Sequence, residues 1–210
     1  AHDKLFRALE MAGGGEIWRI EGKSEFPTGA SVVPESAGEP ERVLVNGYDG
    51  ITRCLRARDG AEVWRFETES YLAGTPALVG GEWVAYGGCD TMIRALRLSD
   101  GEAALGLEVD AEVTTTVASY DGVVFACSYG DEVVAVDVRG GKRKWVYEAE
   151  GLGFGTPPGV DGEAVYLGGA DKQMHAIDRE TGKGLWTFKT GGEIKGAPLV
   201  FDDAVVFGAG

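Results

Sequence analysis

Short apolar runs rich in Val, Leu, Ile and aromatic residues fill the chain, cut at intervals by Asp-Gly, Gly-Gly and Thr-Gly turns. That is a hairpin pattern, and no stretch keeps the 3.6-residue period of a helix of useful length. A longer rhythm lies over it. A Gly followed four residues later by a large apolar residue occurs at Gly14/Trp18, Gly60/Trp64, Gly101/Leu105, Gly141/Trp145 and Gly182/Trp186. The steps between the apolar anchors are 46, 41, 40 and 41 residues, and wrapping from Trp186 past Gly210 to Trp18 gives 42. A fixed period of about 40 residues made of short strands and tight turns is the signature of propeller blades.

Read in phase, each repeat predicts four strands, A to D from the axis outward. The first complete blade has them at 26–33, 42–46, 51–57 and 61–66, and the second at 71–79, 83–86, 91–98 and 103–109. The third takes 112–119, 123–128, 132–138 and 142–147, and the fourth 154–160, 164–167, 173–178 and 184–189. The chain opens on C and D strands at 4–9 and 16–21 and closes on A and B strands at 194–200 and 204–207. The expected fold is all-β, one domain over 1–210: a five-bladed propeller of four-stranded antiparallel blades. Its ring closes by pairing the N-terminal outer strands with the C-terminal inner ones. Closure removes the open strand edges that recruit other chains, and it predicts a monomer. Residues 34–41, with Pro, Gly, Ser and Glu, read as a solvated loop that accounts for the one long step. Small-residue runs in the A strands, such as Gly74-Thr75-Pro76-Ala77 and Gly155-Thr156-Pro157-Pro158, suit the crowded axis, where a free edge tolerates Pro.

The unit Val-Tyr-Leu-Gly-Gly-x-Asp-Lys-x-x-x-Ala-Ile-Asp-x-x-Thr-Gly-x-x-x-Trp, from Val165 to Trp186, resembles the repeat of pyrroloquinoline-quinone-type (PQQ-like) propellers. Five copies in phase extend the resemblance over the whole chain. Departures are local: Leu105 stands where the other repeats have Trp, and the Asp matched by Asp137 and Asp178 becomes Glu10, Arg56 and Arg97 elsewhere. The resemblance implies rings of seven or eight blades, so a five-repeat array cut from a longer ring, or an engineered one, is the alternative to closure. It also implies an extracytoplasmic or periplasmic setting, which the residues themselves do not specify.

Charge narrows the partners. With 34 acidic and 20 basic side chains the net charge is −14, which repels nucleic acid and anionic membrane surfaces. No apolar run approaches the roughly 20 residues of a membrane span, and the first ten residues lack a signal peptide's apolar stretch. An Ala in place of an initiating Met suggests a processed or trimmed chain. Three cysteines, Cys54, Cys89 and Cys127, fall in three different blades, and each reads as a small buried core residue.

Candidate chemistry is sparse. A quinoprotein dehydrogenase of the resembled type would need a Trp at the axis, calcium ligands and a catalytic carboxylate. Trp18, Trp64, Trp145 and Trp186 instead lie on outermost strands, where they read as wedges between blades, and Trp83 reads as core. No acidic calcium loop is present. The two histidines are His2 at the start and His175, which occupies the repeat position of Arg7, Arg53, Arg94 and Val134; neither has metal-ligand spacing. The Arg row reads as structural, paired with neighbouring acids over buried stems. The expectation is a non-enzymatic binding platform with no cofactor and no metal. It recognises a protein or peptide, basic or extended, through the loops around the axis. Tyr48, Tyr71, Leu72, Glu112, Tyr129, Phe154, Glu193 and Lys195 are the candidate contacts on that face.

Overall fold

The computed structural model describes residues 3–36, 38–153 and 156–210. The expectations for His2, Gly155 and Phe154 lie outside the described residues. β1 (Leu5–Leu9) and β2 (Glu16–Glu21) form a two-stranded sheet. Four antiparallel four-stranded sheets follow in chain order. The first is β3 (Ser31–Val33), β4 (Arg42–Asn46), β5 (Ile51–Arg56) and β6 (Glu62–Glu67). The second is β7 (Ala77–Val79), β8 (Trp83–Gly87), β9 (Met92–Arg97) and β10 (Ala103–Glu108). The third is β11 (Ala118–Tyr120), β12 (Val123–Cys127), β13 (Glu132–Asp137) and β14 (Lys142–Glu148). The fourth is β15 (Gly159–Val160), β16 (Ala164–Gly168), β17 (Gln173–Asp178) and β18 (Gly184–Lys189). β19 (Leu199–Phe201) and β20 (Ala204–Val206) make a last two-stranded sheet.

Strands B, C and D stand within a residue or two of their expected places, whereas each A strand pairs only over its last two or three residues. Upstream of those residues Pro lacks the N–H, and the glycines bring backbones together instead. A Cβ on Gly74 would stand 2.5 Å from the Thr115 carbonyl oxygen of the next sheet.

The core lies between the sheets. Val33, Leu44, Cys54 and Trp64 of the first blade pack on Leu72, Val84, Tyr86 and Leu96 of the second. Ile93, Ala95 and Leu105 face Val124, Ala126, Val134 and Val136 across the next interface. Phe125, Val133 and Trp145 meet Val165, Leu167 and Ile177 across the third. Inner blades therefore bury both faces, and β12 is buried at every position. Trp18, Trp64 and Trp145 on the outer strands each bridge to the following blade. Each indole N–H donates to a carbonyl there: Trp18 to Ala57 at 2.7 Å, Trp64 to Leu98 at 2.9 Å, Trp145 to Arg179 at 2.9 Å. The ring then covers a left-handed glycine at Gly60, Gly101 and Gly182, where an added Cβ would come within 2.5–2.7 Å of the indole.

The two half-blades remain apart. β1–β2 and β19–β20 are separate sheets, and among the described residues no ladder joins them. The expected pairing of the two ends into one blade is thus not shown. The molecule is an arc of four complete blades flanked by an outer half-blade and an inner half-blade.

Candidate functional site

The candidate face is built from B–C turns and the loops that enter each blade. Three of the four turns fold around an Asp: Asp49, Asp90 and Asp171 accept the backbone N–H two residues on, from Ile51, Met92 and Gln173. The next residue is left-handed, Gly50 (φ 76°), Thr91 (φ 60°) and Lys172 (φ 65°). Four residues after the Asp, the strand returns a cation or imidazole to it. Arg53 donates to Asp49 from both terminal nitrogens at 3.1 and 2.6 Å, and Arg94 pairs with Asp90 in the same way. His175 Nε2 lies 2.8 Å from Asp171, with Tyr147 Oη at 3.0 Å from Nδ1. Arg7 meets Asp3 at 2.6 Å. The Arg row and its His are structural clasps, as expected from the repeat.

A backbone hydrogen bond ties each turn to its entering loop. Tyr48 N–H donates to Glu25 (2.9 Å), Cys89 to Tyr71 (3.2 Å), Tyr129 to Glu112 (3.0 Å) and Ala170 to Leu152 (3.1 Å). Across the first three blades these positions surround a hollow of about 660 Å³ lined by Glu25, Tyr48, Tyr71, Cys89, Thr114 and Tyr129, among others. Tyr48 and Tyr71 meet edge to face, centroids 5.8 Å apart at 70°. Tyr71 is 64% exposed and Tyr129 49%, so the aromatic surface is open to a partner.

Of the predicted contacts, the structure brings Tyr48, Tyr71 and Tyr129 together. Glu112 is exposed beside them, its carbonyl holding Tyr129. Glu193 and Lys195 pair with each other at 3.1 Å in the loop before β19 and line none of this hollow. Leu72 is a correction: it is fully buried in the core between the first two blades. The sequence carried the signal, because its repeat equivalents Phe26, Val113 and Ile194 are all apolar, and a position apolar in every repeat is a core position. Cys89 is the opposite correction. It is not core; it shares the turn position of Tyr48 and Tyr129 and lines the hollow. Cys54 and Cys127 are buried as expected.

The electrostatics of the rim are set by burial and by the arginine clasps. Burial tends to raise the carboxyls of Asp49 and Asp90, but the paired Arg53 and Arg94 together with backbone N–H groups hold both below the usual carboxylate range. Burial pushes the Cys89 thiol up, and the carboxylates of Glu112 and Asp90 add to it, so the thiol is protonated at neutral pH. Among the described residues, no three His, Cys, Asp or Glu side chains converge as metal ligands. His175 is buried in its own clasp in the fourth blade.

Comparison with known proteins agrees with the repeat. The family model described as outer membrane protein assembly factor BamB, a PQQ-type model, matches residues 2–104, 48–156 and 148–210. A 1-butanol dehydrogenase (quinone) from Thauera butanivorans is 36% identical over 98 residues, 40% of this chain and 16% of that protein. Among solved structures, BamB from Moraxella catarrhalis superposes with a TM-score of 0.78 at 23% identity, covering 99% of this chain and 62% of that one. The computationally designed Ika8 protein gives a TM-score of 0.83 at 19% identity, covering 100% of this chain and 63% of that one. The chain thus spans less than two thirds of each of these proteins.

Proposed function

The chain belongs to the PQQ-type propeller family described as outer membrane protein assembly factor BamB, and on that premise we propose that it is a non-enzymatic binding platform for protein or peptide partners. The observation that carries the reading is the tyrosine-lined hollow, where Tyr48, Tyr71 and Tyr129 converge from two turns and an entering loop. Rigid aromatic rings with polar tips supply contact area at low entropic cost, which is what a peptide-docking surface uses. The net charge of −14 favours a basic, extended segment as the ligand. Two further observations support recognition rather than oxidation. Trp18, Trp64 and Trp145 are occupied in blade-to-blade contacts, away from the axis. The Cys89 thiol at the hollow is protonated, and the carboxylates of the adjoining turns, Asp49 and Asp90, are each held by an arginine.

The test is a calorimetric titration with a panel of extended peptides, basic and neutral, against the wild type, Tyr71→Ala and Tyr129→Ala. Basic peptides are expected to bind, and each substitution to weaken them about tenfold. Unchanged affinity in both variants sinks the face assignment. A calcium-dependent coloured complex with the quinone would replace the reading with that of the dehydrogenase relatives. The likeness to a designed protein favours one competing reading, a repeat array with no selected ligand, and a flat titration throughout would support it.

A further inference from the structure

The hollow on the loop face has the composition of a cation site. Tyr48, Tyr71 and Tyr129 line it together with Cys89, Thr114 and Glu25, and among the described residues no Lys, Arg or His does. It lies among the loops of the first three complete blades, each of which has another sheet of this chain packed on either side. An aromatic face carries the negative end of the ring quadrupole, so a cation is drawn to it, most strongly where several faces are offered at once. Tyr48 and Tyr71 stand 5.8 Å apart, centroid to centroid, with their planes at 70°. Two rings so crossed make a corner. A compact ammonium fits against both, whereas a flat guanidinium covers one face. The chain makes the one-face contact twice within itself, with Arg53 over Phe26 at 5.4 Å and Arg179 over Tyr120 at 4.5 Å.

The backbone holds the tyrosines in place. Tyr48 and Tyr129 each donate their N–H to an entering loop, at Glu25 and Glu112, and the Tyr71 carbonyl accepts from Cys89. All three tyrosines are exposed, so they are set before a ligand arrives and open to it. The charge around them has the matching sign. Glu112 is exposed on the neighbouring loop, and its carboxylate and that of Asp90 add to burial in raising the Cys89 thiol, so a negative potential reaches into the hollow. The arginines of the adjoining strands, Arg53 and Arg94, are turned into their clasps with Asp49 and Asp90.

We propose that this hollow is an ammonium site: it takes a lysine side chain of a protein partner, whose Nζ is held by the faces of Tyr48, Tyr71 and Tyr129 with the carboxylates of Glu25 and Glu112 close by. This rests on the docking reading above and adds its chemistry. One inserted lysine, rather than basic character spread along the segment, decides affinity. At about 660 Å³ the hollow exceeds an ammonium group and leaves room for the lysine stem and the flanking backbone.

Tetramethylammonium chloride is the first probe, because it carries the charge without a peptide. Added to the whole chain, against sodium chloride at equal ionic strength, it is expected to shift the NMR ring signals of Tyr48, Tyr71 and Tyr129 saturably. Tyr71→Phe should keep that binding and Tyr71→Leu weaken it about tenfold or abolish it. Tyr71 is 64% exposed, so neither change disturbs the core. Ring signals that respond no more than to sodium overturn the proposal, and so does a Tyr71→Leu variant that binds as the wild type does. A peptide series then separates this site from docking in general: one extended peptide carrying lysine, trimethyllysine or the neutral norleucine at a single position. Lysine and trimethyllysine are expected to bind about tenfold more tightly than norleucine. Equal affinity for all three overturns the ammonium site and leaves peptide docking standing. No binding by any of them refutes both the docking reading and the lysine assignment.

Discussion

At the scale of single residues, the informative positions are those that change together. Asp49 and Arg53 clasp the first blade's turn, side chains 1% and 7% exposed, and in the third blade the equivalent positions are Gly130 and Val134. Losing both members at once avoids a buried, unpaired charge. Arg53→Met should therefore cost about 3–5 kcal/mol in urea unfolding, and the double change Asp49→Gly, Arg53→Val clearly less. Equal costs would refute the clasp. The same pair sets the acid limit. The folded pKa of Asp49 is depressed, so its contribution is present above the ordinary carboxylate pKa of about 3.9 and is lost as pH falls through the depressed value. The unfolding midpoint should hold from neutrality to about pH 5 and drop below about pH 4. Thiols give a sharper local readout. Burial pushes Cys54 up to about 11 and Cys127 up to about 12, whereas Cys89 is only partly buried. A thiol reagent should modify Cys89 first in the native protein and reach the other two only on unfolding. Modification of Cys89 should also block peptide binding at the hollow.

At the scale of elements, the wedge on the outer strand fixes how one sheet meets the next. Trp64→Ala removes a buried ring and an indole hydrogen bond, and should cost on the order of 3 kcal/mol. Leu105→Ala, at the equivalent strand position, should cost less. Leu105→Trp should stabilise by about 1 kcal/mol, because the seat over Gly141 is open. Chemical denaturation of the three variants checks the order; a destabilising Leu105→Trp would show that the seat is not equivalent. Strands B, C and D were legible in the chain because hairpin turns and alternation are local. The A strands were not. Their pairing stops where glycines such as Gly74 press backbone against the next blade, and that proximity is not written in the strand itself.

For the whole molecule, two global properties act together: a long-range self-repulsion from the net charge and a fold made of near-independent interfaces. Adding about 0.5 M salt should raise the thermal midpoint, since it screens that repulsion more than it weakens clasps shielded from solvent. Exposed pairs such as Arg139–Glu82 contribute little either way. A midpoint that falls with salt would show that ion pairs dominate instead. The candidate face was half legible at this scale. Tyr48, Tyr71 and Tyr129 come together because each blade repeats the same turn and loop, so phase alone brings them to one side. Leu72 was legible as core from its apolar repeat equivalents, whereas Cys89 lines the hollow because it shares the turn position of Tyr48 and Tyr129.

By itself the sequence determined the repeat, its phase, the strand order within each blade and the pairing of Arg with Asp, because all of these arise from contacts a few residues apart or recur at a fixed interval. Only the tertiary structure decided where the pairing of each A strand stops and which loop residues line a hollow. Those depend on the angle between successive sheets, a sum over many interfaces that no single repeat encodes.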